Sequence, residues 1–223
     1  MPAGPLLNGR WCLYYASLGF DVLTYKTVRS QERACYELPN LQPIREERLD
    51  GGETCVSAAR EMDGSWAVSF GMPSKPPEVW RKDVEWTRDR LSPRKVLSVS
   101  VVATVQEGWT IEDTARDYAR CGKWAVDSGA DCVELNLSCP NVATSDGQLY
   151  QQPENAQIVA ECVRQAIGAV PVILKIGYVR SETAAAALLD TTGDAVDALA
   201  MTNFIAATVG VDDELLFYGA SRG

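Results

Sequence analysis

Histidine is absent from this sequence of 223 residues. That absence excludes Ser-His-Asp and Cys-His catalytic groups and histidine-ligated metals, so proton transfer depends on Cys, Lys, Tyr, Asp or Glu side chains. The seven cysteines are dispersed, and none forms a Cys-x-x-Cys pair. This spacing argues against disulfides, zinc sites and iron–sulfur clusters. We therefore expect reduced thiols and no metal.

Long apolar runs and basic clusters are missing as well. The longest apolar runs, at residues 96–105 and 184–189, are shorter than a membrane span, and the N-terminus lacks the basic and apolar regions of a signal peptide. The net charge is -9, and no window combines clustered Lys and Arg with aromatic residues. These absences predict a cytoplasmic protein that binds a small molecule, with no nucleic-acid or membrane partner.

Apolar, β-rich runs alternate with helical patterns along the chain, which predicts parallel strands joined by crossover helices. A polar excursion at residues 29–63 interrupts the alternation, and we expect a loop with a small hairpin on the rim. No Gly-x-Gly-x-x-Gly follows any strand, so an α/β fold of the TIM (β/α)8 barrel type is favoured over a doubly wound sheet. We expect one domain over residues 1–223, with strands at 21–28, 66–70, 95–104, 131–138, 171–176 and 198–202.

The segment 134–141 is the most informative part of the sequence about function. Apolar residues alternate with Glu134, Asn136 and Ser138, so one face of the predicted strand offers hydrogen-bonding groups. Cys139 and Asn141 follow where a proline ends the strand. Polar groups at the carboxyl end of a strand are where α/β enzymes place their chemistry. Taken alone, a Cys-Pro-Asn turn also fits a structural cysteine beside turn asparagines.

The octapeptide Glu-Leu-Asn-Leu-Ser-Cys-Pro-Asn at 134–141 resembles the substrate loop of the dihydroorotate dehydrogenase and dihydropyrimidine dehydrogenase flavoproteins. Four further segments match in the same order: Tyr-Lys-Thr at 25–27, Ser-Phe-Gly-Met-Pro at 69–73, Pro-Val-Ile-Leu-Lys at 171–175 and Thr-Asn at 202–203. Cysteine rather than serine in the loop points to class 1 of the dihydroorotate dehydrogenase family. The resemblance implies an FMN-dependent TIM barrel that oxidises dihydroorotate to orotate in pyrimidine biosynthesis.

The resemblance also implies roles for the substrate-binding residues. Cys139 matches the general base that removes a proton from C5 of the dihydropyrimidine while C6 delivers hydride to FMN. Asn136, Asn141 and Asn203 match asparagines that hydrogen-bond the ring, whose alternating donors and acceptors suit a carboxamide. Ser138 lies on the same polar phase, and we expect it to contact the substrate.

The expected cofactor residues lie on three other strands. Lys175 matches a lysine at the N1/O2 edge of the flavin, where it stabilises the negative charge of reduced FMN. Lys26 matches a second lysine near both flavin and substrate, and Thr27 is expected beside the isoalloxazine. Ser100 is expected to face the flavin, and so is Asn136 of the substrate set. For each lysine, the alternative is a surface residue with a solvated ammonium.

Six strands of the eight that a barrel needs are predicted, so we expect a family member shortened at both ends, with two unpaired sheet edges. Val68 stands where the family has an asparagine, which leaves dihydroorotate-type and dihydrouracil-type substrates open. The alternatives are a dihydropyrimidine dehydrogenase-type catalytic barrel, a non-catalytic barrel remnant, and a Schiff-base aldolase using Lys175. The resemblance implies a homodimer or a complex with an electron-transfer subunit.

Overall fold

A computed structural model describes residues 1–38, 40–46, 48–51, 53, 55–62, 64–138, 148–202, 204–205, 207–211 and 214–215. The helices are α1 (Gly9–Ser17), α2 (Pro77–Arg90), α3 (Ile111–Asp127), α4 (Pro153–Ile167) and α5 (Glu182–Thr192). The first strands are β1 (Val22–Val28), β2 (Leu41–Pro43), β3 (Cys55–Ser57), β4 (Trp66–Val68) and β5 (Val96–Val101). The others are β6 (Cys132–Asn136), β7 (Val172–Lys175), β8 (Ala198–Ala200), β9 (Thr208–Val211) and β10 (Glu214–Leu215).

The main sheet contains β1, β5, β6, β7 and β8 in that order, and every neighbouring pair is parallel. A helix joins each strand to the next, so consecutive strands are always adjacent. The strand order never reverses, which distinguishes this sheet from a doubly wound one. The prediction of an α/β fold of the TIM-barrel type is confirmed, with five consecutive parallel strands among the described residues.

The prediction of a barrel strand at residues 66–70 is wrong. β4 (Trp66–Val68) pairs antiparallel with β2, outside the main sheet. Its residues are mostly exposed, and only the middle one is partly covered. β3 pairs in parallel with β9, and Ile44, Val56 and Val209 form a small separate core there. The excursion therefore builds its own sheets with residues far along the chain, rather than one local hairpin.

The edge of β1 is also covered, contrary to the expectation of two unpaired edges. The amino group of Met1 donates to Val22 O at 2.6 Å, and Thr24 N donates to Met1 O at 3.0 Å. Further along, Lys26 N donates to Leu6 O at 2.9 Å. The segment before α1 thus satisfies backbone groups that a bare edge would expose, and this outcome concerns the β1 edge alone.

The main core lies between the sheet and its helices. Helix α3 begins with a capping box, in which Thr110 and Asp113 each bind the other's backbone N–H. α3 packs closely on α4, and a side chain added at Gly122 would meet Val163 at 3.3 Å. Small residues on α3 therefore permit the close approach. No helix of the described residues is long and apolar enough to cross a membrane.

Two similar ion pairs connect helices to the amino ends of the strands. Arg88 on α2 binds Asp131 at the start of β6, and that carboxylate accepts a backbone N–H of β5 at 2.7 Å. Arg164 on α4 binds Asp197 just before β8, and that carboxylate accepts a backbone N–H of β7 at 2.7 Å. In barrels of this type the amino ends serve stability, which leaves the carboxyl ends for function.

Candidate functional site

The inner face of the main sheet is polar near the carboxyl ends of its central strands. Ser100 on β5 lies beside Glu134 on β6, and Asn136 on β6 lies beside Lys175 on β7. Residues in register on parallel strands point to the same side, and the alternate residues of these strands pack against the helices. All four polar residues are buried, with relative exposures of 0%, 3%, 3% and 9% in that order. The predicted residues Ser100, Asn136 and Lys175 therefore share one surface.

Thr27 joins this surface because β1 is irregular. Tyr25, two residues earlier, points toward α2, where its hydroxyl donates to a carboxylate at 2.6 Å. The register with β5 shifts after Tyr25, and Thr27 Oγ1 lies 2.8 Å from Ser100 Oγ. Bulges re-aim side chains in this way and are common beside active sites. Lys26, which is half-buried, precedes Thr27 within the irregular stretch.

The carboxamide of Asn136 is held from both ends. Its Nδ2 donates to Thr27 Oγ1 at 3.3 Å and contacts Met72 Sδ at 3.2 Å. Its Oδ1 accepts the hydroxyl of Ser138 at 3.2 Å, and Tyr118 on α3 donates to the backbone carbonyl of Asn136 at 2.9 Å. The expected substrate residues Asn136 and Ser138 thus form one network with Thr27 and Ser100.

The loop at residues 69–74 reaches this network through Met72. Gly71 and Met72 adopt φ values of 73° and 47°, and a side chain at Gly71 would meet the ring of Tyr36 at 2.8 Å. Glycine is therefore needed at this turn. The fully buried Arg29 donates from Nε to Met72 O at 3.1 Å and from its terminal nitrogen to Ala103 O at 2.5 Å. Arg29 thus ties the loop to the end of β5.

Lys175 forms an ion pair inside the sheet. Its Nζ lies 3.6 Å from Oε1 of Glu134. The predicted set of site residues did not include Glu134 or Met72. Glu134 could have been predicted, because it alternates with Asn136 on the polar face of the same strand. Met72 could not, because its position depends on how a loop distant in sequence folds over the sheet.

Cys132 is the thiol that the structure describes on the inner face of β6. It lies beside Ser98 of β5. Burial raises the pKa of Cys132, a hydrogen bond with Ser98 opposes that rise, and the nearby Asp131 and Glu134 carboxylates add to it. The thiol stays protonated at neutral pH and is a poor candidate for a general base.

Three predicted residues, Cys139, Asn141 and Asn203, lie outside the described residues. Val68, at the position of the family asparagine, is on β4 and is 49% exposed. The assignments of Cys139, Asn141 and Asn203 stay predictions. The described contacts therefore establish the part of the surface made by Thr27, Ser100, Asn136, Ser138 and Lys175.

The surface offers a cation, a carboxamide and several hydroxyls within one buried region. Such a set can hydrogen-bond a flat heterocycle and balance a negative charge on its edge. Polar groups at the carboxyl ends of consecutive parallel strands define the binding face of a TIM-barrel protein. The chain is a protein of this class.

The sequence is 31% identical over 190 residues to a dihydroorotate dehydrogenase from Dictyostelium discoideum. The match covers 79% of this chain and 50% of that protein, so the chain spans about half the length of the curated relative. The chain belongs to the dihydroorotate dehydrogenase family. No protein-family model matches the sequence.

Solved structures with partial likeness come from pyruvate carboxylase of Rhizobium etli. A variant crystallized without acetyl coenzyme-A is 16% identical with a TM-score of 0.40, over 55% of this chain and 12% of that one. The carboxyl transferase domain with pyruvate and biocytin is 15% identical with a TM-score of 0.38, over 60% of this chain and 20% of that one.

Proposed function

We propose that this chain is an FMN-dependent oxidoreductase of the CH–CH group that oxidises dihydroorotate to orotate, with Cys139 as general base. One observation carries the proposal: Thr27, Ser100, Asn136 and Lys175 converge on one buried surface at the strand ends. Family membership supplies the reaction class.

The residues present fit FMN. The flavin ring has acceptors along its N1/O2 edge and both donors and acceptors along its N3 and O4 edge. A nearly buried ammonium at Lys175 suits the first edge, and the hydroxyls and carboxamide of Thr27, Ser100 and Asn136 suit the second. When bound, FMN supplies the hydride acceptor.

The chain's own residues then bind, orient and deprotonate the substrate. Cys139 removes the proton from C5 of the dihydropyrimidine, and Asn136, Asn141 and Asn203 hydrogen-bond the ring. Ser138 keeps the carboxamide of Asn136 oriented, since its hydroxyl donates to Asn136 Oδ1 at 3.2 Å. Lys26, at the irregular part of β1, is assigned to contact both flavin and substrate.

The ion pair of Lys175 argues against the aldolase alternative. A Schiff base forms from a neutral amine. Nζ of Lys175 is instead engaged in an ion pair with the carboxylate of Glu134, at 3.6 Å. Borohydride trapping with carbonyl substrates is accordingly expected to leave Lys175 unlabelled.

FMN binding is the first test. The purified chain is expected to show the visible flavin absorption and to release FMN on denaturation. Anaerobic addition of dihydroorotate should bleach that absorption, and dihydrouracil should do so more slowly. The opposite preference would favour the dihydropyrimidine dehydrogenase-type barrel. A colourless, folded protein that takes up no added FMN would instead support the barrel remnant.

Cys139→Ser tests the general base. A positioned base contributes about 10²–10⁴-fold to a rate, so flavin reduction by dihydroorotate should slow by that factor while FMN stays bound. Cys35→Ser is the matched control, because Cys35 is exposed. Equal reduction rates in the two variants would reject the assignment of Cys139.

The proposal extends to partners and location. Electrons leave the reduced site toward an acceptor in the cytoplasm, either directly from a homodimer or through an electron-transfer subunit. Sedimentation of the FMN-loaded protein, alone and with candidate acceptor proteins, distinguishes these two arrangements.

A further inference from the structure

Glu134 is a buried acid beneath the proposed flavin surface. It lies on β6 two residues before Asn136, so it sits one layer deeper than the carboxamide on the same inner face. Its relative exposure is 3%, and that of Lys175 is 9%. The pair connects the neighbouring strands β6 and β7 on their inner face.

The contacts of Glu134 direct it toward Lys175. Oε1 is buried and has no hydrogen-bond partner among the described residues. Lys175 Nζ, at 3.6 Å, is close enough for an ion pair and slightly beyond hydrogen-bond distance. Cys132, the titratable neighbour on the same face of β6, stays neutral. The carboxylate therefore depends on the ammonium for compensation, and the ammonium depends on the carboxylate.

We propose that Glu134 is a positioning residue that fixes the Lys175 ammonium and offsets part of its charge, so that this pair sets the positive charge offered to the flavin. The inference rests on the proposed function for its flavin part, whereas the control of Lys175 by Glu134 stands on the geometry alone. An uncompensated lysine would stabilise the reduced, more negative flavin more strongly. Glu134 thus limits the difference in affinity between reduced and oxidised FMN.

The first measurement uses the chain without FMN. The Lys175 side chain is followed by nitrogen NMR at neutral pH in the wild type, Glu134→Gln and Glu154→Gln, the last a control at an exposed position of α4. Loss of the counter-ion should shift the Nζ resonance of Lys175 and speed the exchange of its protons with water in Glu134→Gln, with no change in the control. An unchanged Lys175 resonance in Glu134→Gln would overturn the proposal whether or not the chain binds FMN.

The second measurement uses the FMN-loaded protein. The ratio of reduced to oxidised FMN affinity should rise about tenfold in Glu134→Gln, which is about 30 mV for a two-electron couple. The change should vanish when Lys175→Met is already present, since Glu134 acts through that lysine. An equal change in the Lys175→Met background would contradict the proposal.

Glu134→Asp covers the case in which Glu134→Gln does not fold. The shorter side chain keeps the charge and moves the carboxylate away from Nζ. The Lys175 resonance and the ratio of reduced to oxidised FMN affinity should therefore change in the same direction as in Glu134→Gln, but by less. Absence of FMN from the folded wild type would defeat the proposed function only, because the Lys175 resonance still decides the role of Glu134.

Discussion

Arg29 is expected to be the side chain that fixes the loop over the candidate site, and Arg29→Met tests this. The guanidinium donates to Met72 O and Ala103 O from a fully buried position. Hydrogen bonds from a charged donor contribute about 1.5–3 kcal/mol each, so losing both should lower the free energy of unfolding by about 3–6 kcal/mol. Methionine keeps most of the apolar length, so the loss reports mainly on the guanidinium.

Urea unfolding monitored by tryptophan fluorescence gives the free-energy difference. Arg90→Met is the matched control, because Arg90 is exposed and stacks on Trp86 at 4.6 Å, a contact of about 0.5–1 kcal/mol. Arg29→Lys keeps the charge with fewer donors and should fall between the two. A loss in Arg29→Met no larger than that in Arg90→Met would refute the reasoning.

Three further predictions concern local contacts. Thr110→Ala removes the α3 capping box and should lower the free energy of unfolding by about 1 kcal/mol in urea titrations. A backbone N–H and an arginine hold the pKa of Asp197 below its usual value. The carboxylate therefore stabilises the folded protein fully above the unfolded pKa of about 3.9. That stabilisation disappears as the pH falls through the lower folded pKa. Asp197→Asn should therefore be destabilised at neutral pH but equal to wild type in strong acid, and Asp190→Asn, an exposed control, should match wild type at both. Burial, with a nearby carboxylate, raises the pKa of Cys12 to about 12. Iodoacetamide should therefore label the exposed Cys35 and spare Cys12, as measured by mass spectrometry of the peptides. Equal labelling of the two thiols would contradict the buried position of Cys12.

Local patterns predicted what depends on neighbours in sequence. The polar face of β6 was predicted, because the alternation of side chains along a strand is a local property. Residues 66–70 were wrongly assigned to the barrel, since the partner of β4 is β2, which lies in the polar excursion. The inward turn of Thr27 depends on a bulge, and the Glu134–Lys175 contact depends on the register of two strands. Neither follows from one strand's pattern.

The similar ion pairs at the amino ends of the strands bear on how the sheet assembles. The Arg88–Asp131 and Arg164–Asp197 contacts connect residues 43 and 33 positions apart. Closures of this length are entropically modest, so either can form before the rest of the chain is in place. We expect the nascent polypeptide to fold stepwise as it leaves the ribosome, with one pair of neighbouring strands forming after another.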